Sequence, residues 1–187
     1  DDPPNPERVR RARLRSQLLA IPGREAAGVE RVVASLVGLQ AQDESAAALG
    51  VRARSNGLTA ESVRAALWDD RTVVRTWCVR GTLHLVAAED VPWLLAVFGP
   101  VFAQRGRRRL ADLGFDDEGA DDAVGVVLDA LEREGPMTRI EIADVLVRAG
   151  FEFDPARQAT YHLVRRAGLL GELCQVAPVE GKEADGP

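Results

Sequence analysis

The 187 residues carry a formal net charge of −5, with 46% hydrophobic and 28% charged residues. That length can bury one large or two small cores without disulfides or metals, and the ordinary composition argues against disorder. The acidic balance excludes a protein that coats nucleic acid through bulk charge and leaves only local basic faces for such contacts.

No apolar run approaches the roughly 20 residues that span a bilayer, and the start of the chain lacks the apolar core of a signal peptide, so a cytoplasmic protein is expected. Cys78 and Cys174, with His84 and His162, show no zinc-site spacing, so no metal and no cofactor is expected. Basic residues cluster at Arg8, Arg10, Arg11, Arg13 and Arg15, and again at Arg105, Arg107, Arg108 and Arg109. Only Lys182 of the 24 basic residues is Lys, so each cluster reads either as a phosphate grip or as a solvated helix face.

In chain order, Val29, Val32, Val33, Leu36 and Val37 recur at helical spacing and predict a helix over 28–39. A second helix is predicted from Glu44 to Arg54. A third runs to Trp68 with Thr59 as its N-cap and Glu61 in its first turn. The period then changes. Residues 72–79 and 82–86 are rich in β-branched and aromatic side chains and flank Arg80-Gly81, the signature of a hairpin. Three helices followed by a hairpin is the order of a winged helix.

Glu89-Asp90 and Pro92 open a further helical stretch through Leu113, read as a connector packed on the first unit. The acidic run from Asp112 to Asp122, with Gly114 and Gly119, reads as a linker. Beyond it the order repeats. A helix over 121–134 ends at Gly135-Pro136, and Thr138 with Glu141 forms a capping box for a helix to Arg148. Asp154 and Pro155 then start a third helix to Ala167, with Gly168 expected to end it. A strand is predicted over 169–176, where the second wing begins but finds no returning partner before Pro187. The expected fold class is therefore mainly α with short β-hairpins, in tandem winged-helix units over 1–114 and 115–187, the second truncated in its wing.

In a helix-turn-helix the last helix enters the major groove, which makes Arg157, Gln158, Tyr161, Arg165 and Arg166 candidate outward residues on the helix over 154–167. Packing between units is the alternative use of that helix. Arg75 and Arg80 on the hairpin are candidate phosphate contacts, and Trp77 a candidate base wedge or core residue. Thr82 and His84 alternate with Leu83 and so share one face of their strand, where a histidine serves either packing or binding.

Gln40-Ala41-Gln42 is placed by this reading where the first helix meets the second, and two such amides also serve as ordinary capping groups. The stretch from Leu36 to Asp43, together with Val74 to Val86, resembles the winged-helix DNA glycosylases that unhook interstrand crosslinks and remove alkylated purines. In that family three winged-helix units surround a DNA channel, and a motif of Gln, an apolar residue, then Gln or Asp supplies the catalytic pair. The resemblance implies Gln40 and Gln42 as catalytic residues. It also implies double-stranded, damaged DNA as partner. The rival readings are a non-catalytic DNA-binding regulator and a protein-interaction module.

Overall fold

The computed structural model describes residues 5–20 and 28–178. The chain folds as two units, one of Asp1–Arg75 with His84–Val91 and the other of Thr76–Leu83 with Pro92–Pro187. The long helix expected as a connector on the first unit thus belongs, from Pro92 onward, to the second.

The first unit opens with α1 (Pro6–Ser16). Asn5 accepts from the Glu7 amide, Pro6 stands in the first turn, and no residue of the helix is buried. α2 (Val29–Ala34) is shorter than the predicted helix over 28–39. It stops because Val37 takes a left-handed conformation (φ 61°) and Gly38 has φ 122°. The Gly38 amide reaches back to the Val33 carbonyl at 3.1 Å and that of Val37 to Ala34 at 2.9 Å, the paired bonds of a Schellman cap.

Freed from the helix, the chain enters the two-residue strand β1 (Leu39–Gln40), which composition did not suggest. Asp43 then caps α3 (Glu44–Arg52), its side chain accepting from the Ala46 amide at 2.6 Å. Thr59 caps α4 (Ala60–Arg64) in a reciprocal box with Ser62. This helix widens into a π-helical turn over Ala65–Asp69, closed by the Asp70 amide on the Ala65 carbonyl.

The hairpin is as expected: β2 (Val73–Trp77) and β3 (Leu83–Ala87) join through a tight turn over Val79–Gly81. Arg80 (φ 57°) and Gly81 (φ 68°) both have positive φ, which a primed turn requires to match the twist of its strands. The sheet order is β1-β3-β2, so the element order from α2 to β3 is that of a winged helix with all three strands present. Its core packs Val29, Val32, Val33, Val51, Val63 and Val73 with Leu85 and Ala41.

In the second unit, α5 (Val91–Asp112) is one continuous helix through Pro100 and Gly106. The predicted acidic linker is corrected to a four-residue connection. Leu113 and Phe115 in it are buried, and Asp116 already caps α6 (Asp117–Glu134) by accepting from the Gly119 amide. Asp117, Glu118, Asp121 and Asp122 sit in the first turns of α6, where the positive end of the helix dipole favours them. Asp117 pairs with Arg107 and Asp121 with Arg166, so part of each charge cluster neutralises the other.

α7 (Arg139–Arg148) carries the expected Thr138 and Glu141 capping box. After it, Asp154 and Pro155 begin only a single 3-10 turn, since Gln158 turns left-handed (φ 68°). The helix proper is α8 (Ala159–Leu170). It runs through Gly168 and ends at Gly171, so the strand predicted over 169–176 is also corrected: its first two residues are helical and 173–178 have no regular structure. Gly168 is not a stop signal. A Cβ there would lie 2.6 Å from the Trp77 ring, so the glycine lets α8 approach the indole.

Candidate active site

The pleat of β1 arranges the glutamines. Leu39 stands opposite Leu85 and Gln40 opposite His84 in an antiparallel register. Residues directly across such a pair share a face, so Leu39 and Leu85 turn into the core while Gln40 and His84 take the other side. The alternation continues past the strand: Ala41 is 0% exposed and packed in the core, and Gln42 is exposed again. Two amides therefore emerge from the first unit on either side of a buried alanine.

The N-cap side chain of α3 comes from Asp43, not from either glutamine. Alternation of apolar and polar residues in Leu39-Gln40-Ala41-Gln42 was the sequence signal for this strand, and the helical spacing of the preceding valines masked it.

Arg75, expected at a phosphate, is half-buried and engages two backbone carbonyls. Its Nε donates to the Ala41 carbonyl at 2.9 Å and its Nη2 to the Gln42 carbonyl at 3.1 Å. Nothing in the spacing of 41 and 75 announces that pairing. His84 is 4% exposed and lies within the strand opposite Gln40.

Trp77 is corrected from a wedge to a core residue: at 3% exposure it packs with Leu83, Ala103 and Leu169, and its ring meets Tyr161 edge-on. Next to it, burial pushes the Cys78 thiol above its usual range. Thr82 is half-buried and its hydroxyl donates to the Val79 carbonyl at 3.2 Å, while Arg80 is exposed at the tip of the turn.

The expected groove-facing residues of the second unit divide. Arg157 and Gln158 are exposed, but they precede α8 rather than lie along it. Arg165 is half-buried and donates to the Gly81 carbonyl at 3.1 Å, and burial lowers the guanidinium below its ordinary pKa. Arg166 donates to Asp121. Both were expected to face outward, and both are instead tied to their own unit.

Among the described residues, no group of three His, Cys, Asp or Glu side chains is placed to hold a metal ion, and no helix is long and apolar enough to cross a membrane. The chemistry on offer at residues 40–42 is that of two neutral amides, each with a carbonyl acceptor and an NH₂ donor.

No curated protein sequence matches the chain. Among solved structures it is similar to the Streptomyces sahachiroi DNA glycosylase AlkZ, with a TM-score of 0.66 and 25% sequence identity over 90% of this chain. The chain spans only 45% of that protein's length. The model of the family described as DNA glycosylase AlkZ-like matches residues 33–187, which takes in the glutamine pair, the hairpin and the whole second unit. A match over that much of its length means that the chain belongs to the AlkZ-like DNA glycosylase family.

Proposed function

We propose that this chain is a DNA glycosylase that hydrolyses the N-glycosidic bond of alkylated purines or unhooks interstrand crosslinks, with Gln40 and Gln42 as its catalytic pair. The observation that carries the reading is the emergence of two exposed amides around the fully buried Ala41.

Cleavage of a glycosidic bond develops positive charge on the sugar and needs a placed water. An amide does not accept a proton near neutral pH, but its carbonyl oxygen orients water and offers a dipole to the sugar cation. A site of this kind suits a leaving base that is already activated. A purine alkylated at N7 carries its own positive charge and departs without being protonated first.

Double-stranded DNA bearing such a base is the proposed substrate, and a substrate of that kind goes with a cytoplasmic protein. We read the stretch from α2 to β3 as one winged-helix module complete with its wing, and α6, α7 and α8 as the helices of a second in the same order. Exposed Arg80, Arg157 and Gln158 are the proposed DNA contacts.

The deciding experiment incubates the protein with a duplex carrying one N7-methylguanine and assays for an abasic site. Release of the modified base with unmodified purines left intact is the expected result. Sequence-selective binding without base release would replace this reading with that of a non-catalytic DNA-binding regulator, and no binding at all with that of an interaction module.

A further inference from the structure

Arg75 belongs to β2, and β3 lies between β2 and β1 in the sheet. Its guanidinium nevertheless reaches the segment that follows β1 and donates to two successive carbonyls, Ala41 at 2.9 Å and Gln42 at 3.1 Å. The Ala41 carbonyl is part of the peptide plane before the Gln42 Cα, and the Gln42 carbonyl part of the plane after it. Holding both planes fixes the two backbone dihedrals of Gln42, and with them the direction in which its side chain leaves the chain.

A guanidinium suits this task because its N–H groups form a rigid planar fork, whereas an ammonium is a rotating point charge. Gln40 is held by different means, the strand register opposite His84. The two amides thus have separate anchors. The burial of Ala41 pins the residue between them.

We propose that Arg75 is a positioning residue for Gln42: it sets the orientation of that amide through the backbone, and it does not bind DNA phosphate. The inference deepens the glycosylase reading and rests on it for its effect on rate, while its structural half stands without it. A small misplacement of a reacting group costs up to about a hundredfold in rate without weakening substrate binding.

The test compares Arg75→Lys and Arg75→Gln with the parent in three measurements. These are single-turnover release of N7-methylguanine, affinity for the same duplex as a function of salt, and hydrogen exchange at the backbone amides. Both variants should lose about tenfold or more in release rate, with duplex affinity within about twofold of the parent and an unchanged salt slope. Exchange should quicken at 40–43 and remain at parent level in α3, α4 and the rest of the core, which separates local loosening from general unfolding.

A phosphate contact would give the opposite pattern. Arg75→Lys would keep rate and slope, and Arg75→Gln would lose affinity together with about one unit of slope. That pattern, or unchanged exchange at 40–43, overturns the proposal. If the parent itself releases no base, the glycosylase reading falls, and the exchange and salt measurements still decide what Arg75 does.

Discussion

Gln40 and Gln42 differ in what surrounds them, and so their replacement should differ in effect. Gln42 lies between two carbonyls clamped by Arg75, next to the cap of α3, whereas Gln40 sits in a two-residue strand. Gln42→Ala should abolish release of N7-methylguanine while leaving duplex affinity nearly unchanged, because the lost group acts on water and the sugar cation in the transition state. Gln40→Ala should have the same effect with a smaller loss. Gln42→Asp should retain measurable activity, since a carboxylate oxygen in that place accepts from the same water. Release by both alanine variants at the parent rate would remove the pair from the mechanism. At this scale the sequence was legible where chemistry depends on residue type, as with the two amides. It was illegible where a side chain's role depends on a partner distant along the chain. Arg75 on a hairpin strand looks like any solvent-facing cation, and only the fold reveals the carbonyls of Ala41 and Gln42 within its reach. Trp77 likewise offers base stacking by type, and its burial beside Gly168 decides against it.

Several helices end in the same way. α5, α7 and α8 close with the same paired backbone bonds as α2, and each puts a glycine, Gly114, Gly150 or Gly171, in the left-handed position. α2 puts Val37 there, a β-branched residue for which that conformation costs about 1–2 kcal/mol. Val37 is 47% exposed, so little burial offsets the strain. Val37→Gly should therefore stabilise the protein by up to about 1 kcal/mol, the relief of strain exceeding the extra entropy that glycine has in the unfolded chain. The midpoint of denaturant unfolding reads the change directly, and a lower midpoint would show that Val37 contributes packing worth more than its strain. The same cap explains the missed strand. Helical periodicity in the valines ran on past Ala34, and a glycine at 38 rather than 37 gave no clear stop one residue earlier. Elements with strong local signals, such as the hairpin turn at Arg80-Gly81 and the Thr138 capping box, were readable without tertiary information. Gly168 was misread as a stop because its reason for being glycine, the Trp77 ring, comes from a residue far away in sequence.

Over the whole molecule, net charge and local charge pull in opposite directions. A chain at −5 repels a polyanion at long range, so association with DNA must rest on a few cations brought close to phosphates. The structure narrows that set. Arg107 and Arg166 are engaged by Asp117 and Asp121, Arg105 lies over the Phe102 ring at 5.0 Å, and Arg165 is spent on the Gly81 carbonyl. Solvent-exposed cations include Arg8, Arg10, Arg13 and Arg15 on α1 and Arg80 at the hairpin tip. Each phosphate neutralised releases counterions and contributes about 0.9 to the slope of log affinity against log salt. Duplex affinity should consequently fall with salt along a line whose slope counts those few contacts. Arg80→Gln should lower the slope by about one unit. Joint replacement of Arg8, Arg10, Arg13 and Arg15 by Gln should lower it further if α1 lies along the backbone, and leave it untouched if α1 is only a solvated face. The measurement is a titration of one duplex at several salt concentrations with parent and variants at equal protein activity. An affinity independent of salt, or an Arg80→Gln line that overlays the parent, would mean that the duplex is not held through these cations, and the proposed DNA-binding surface would have to be sought elsewhere on the two units.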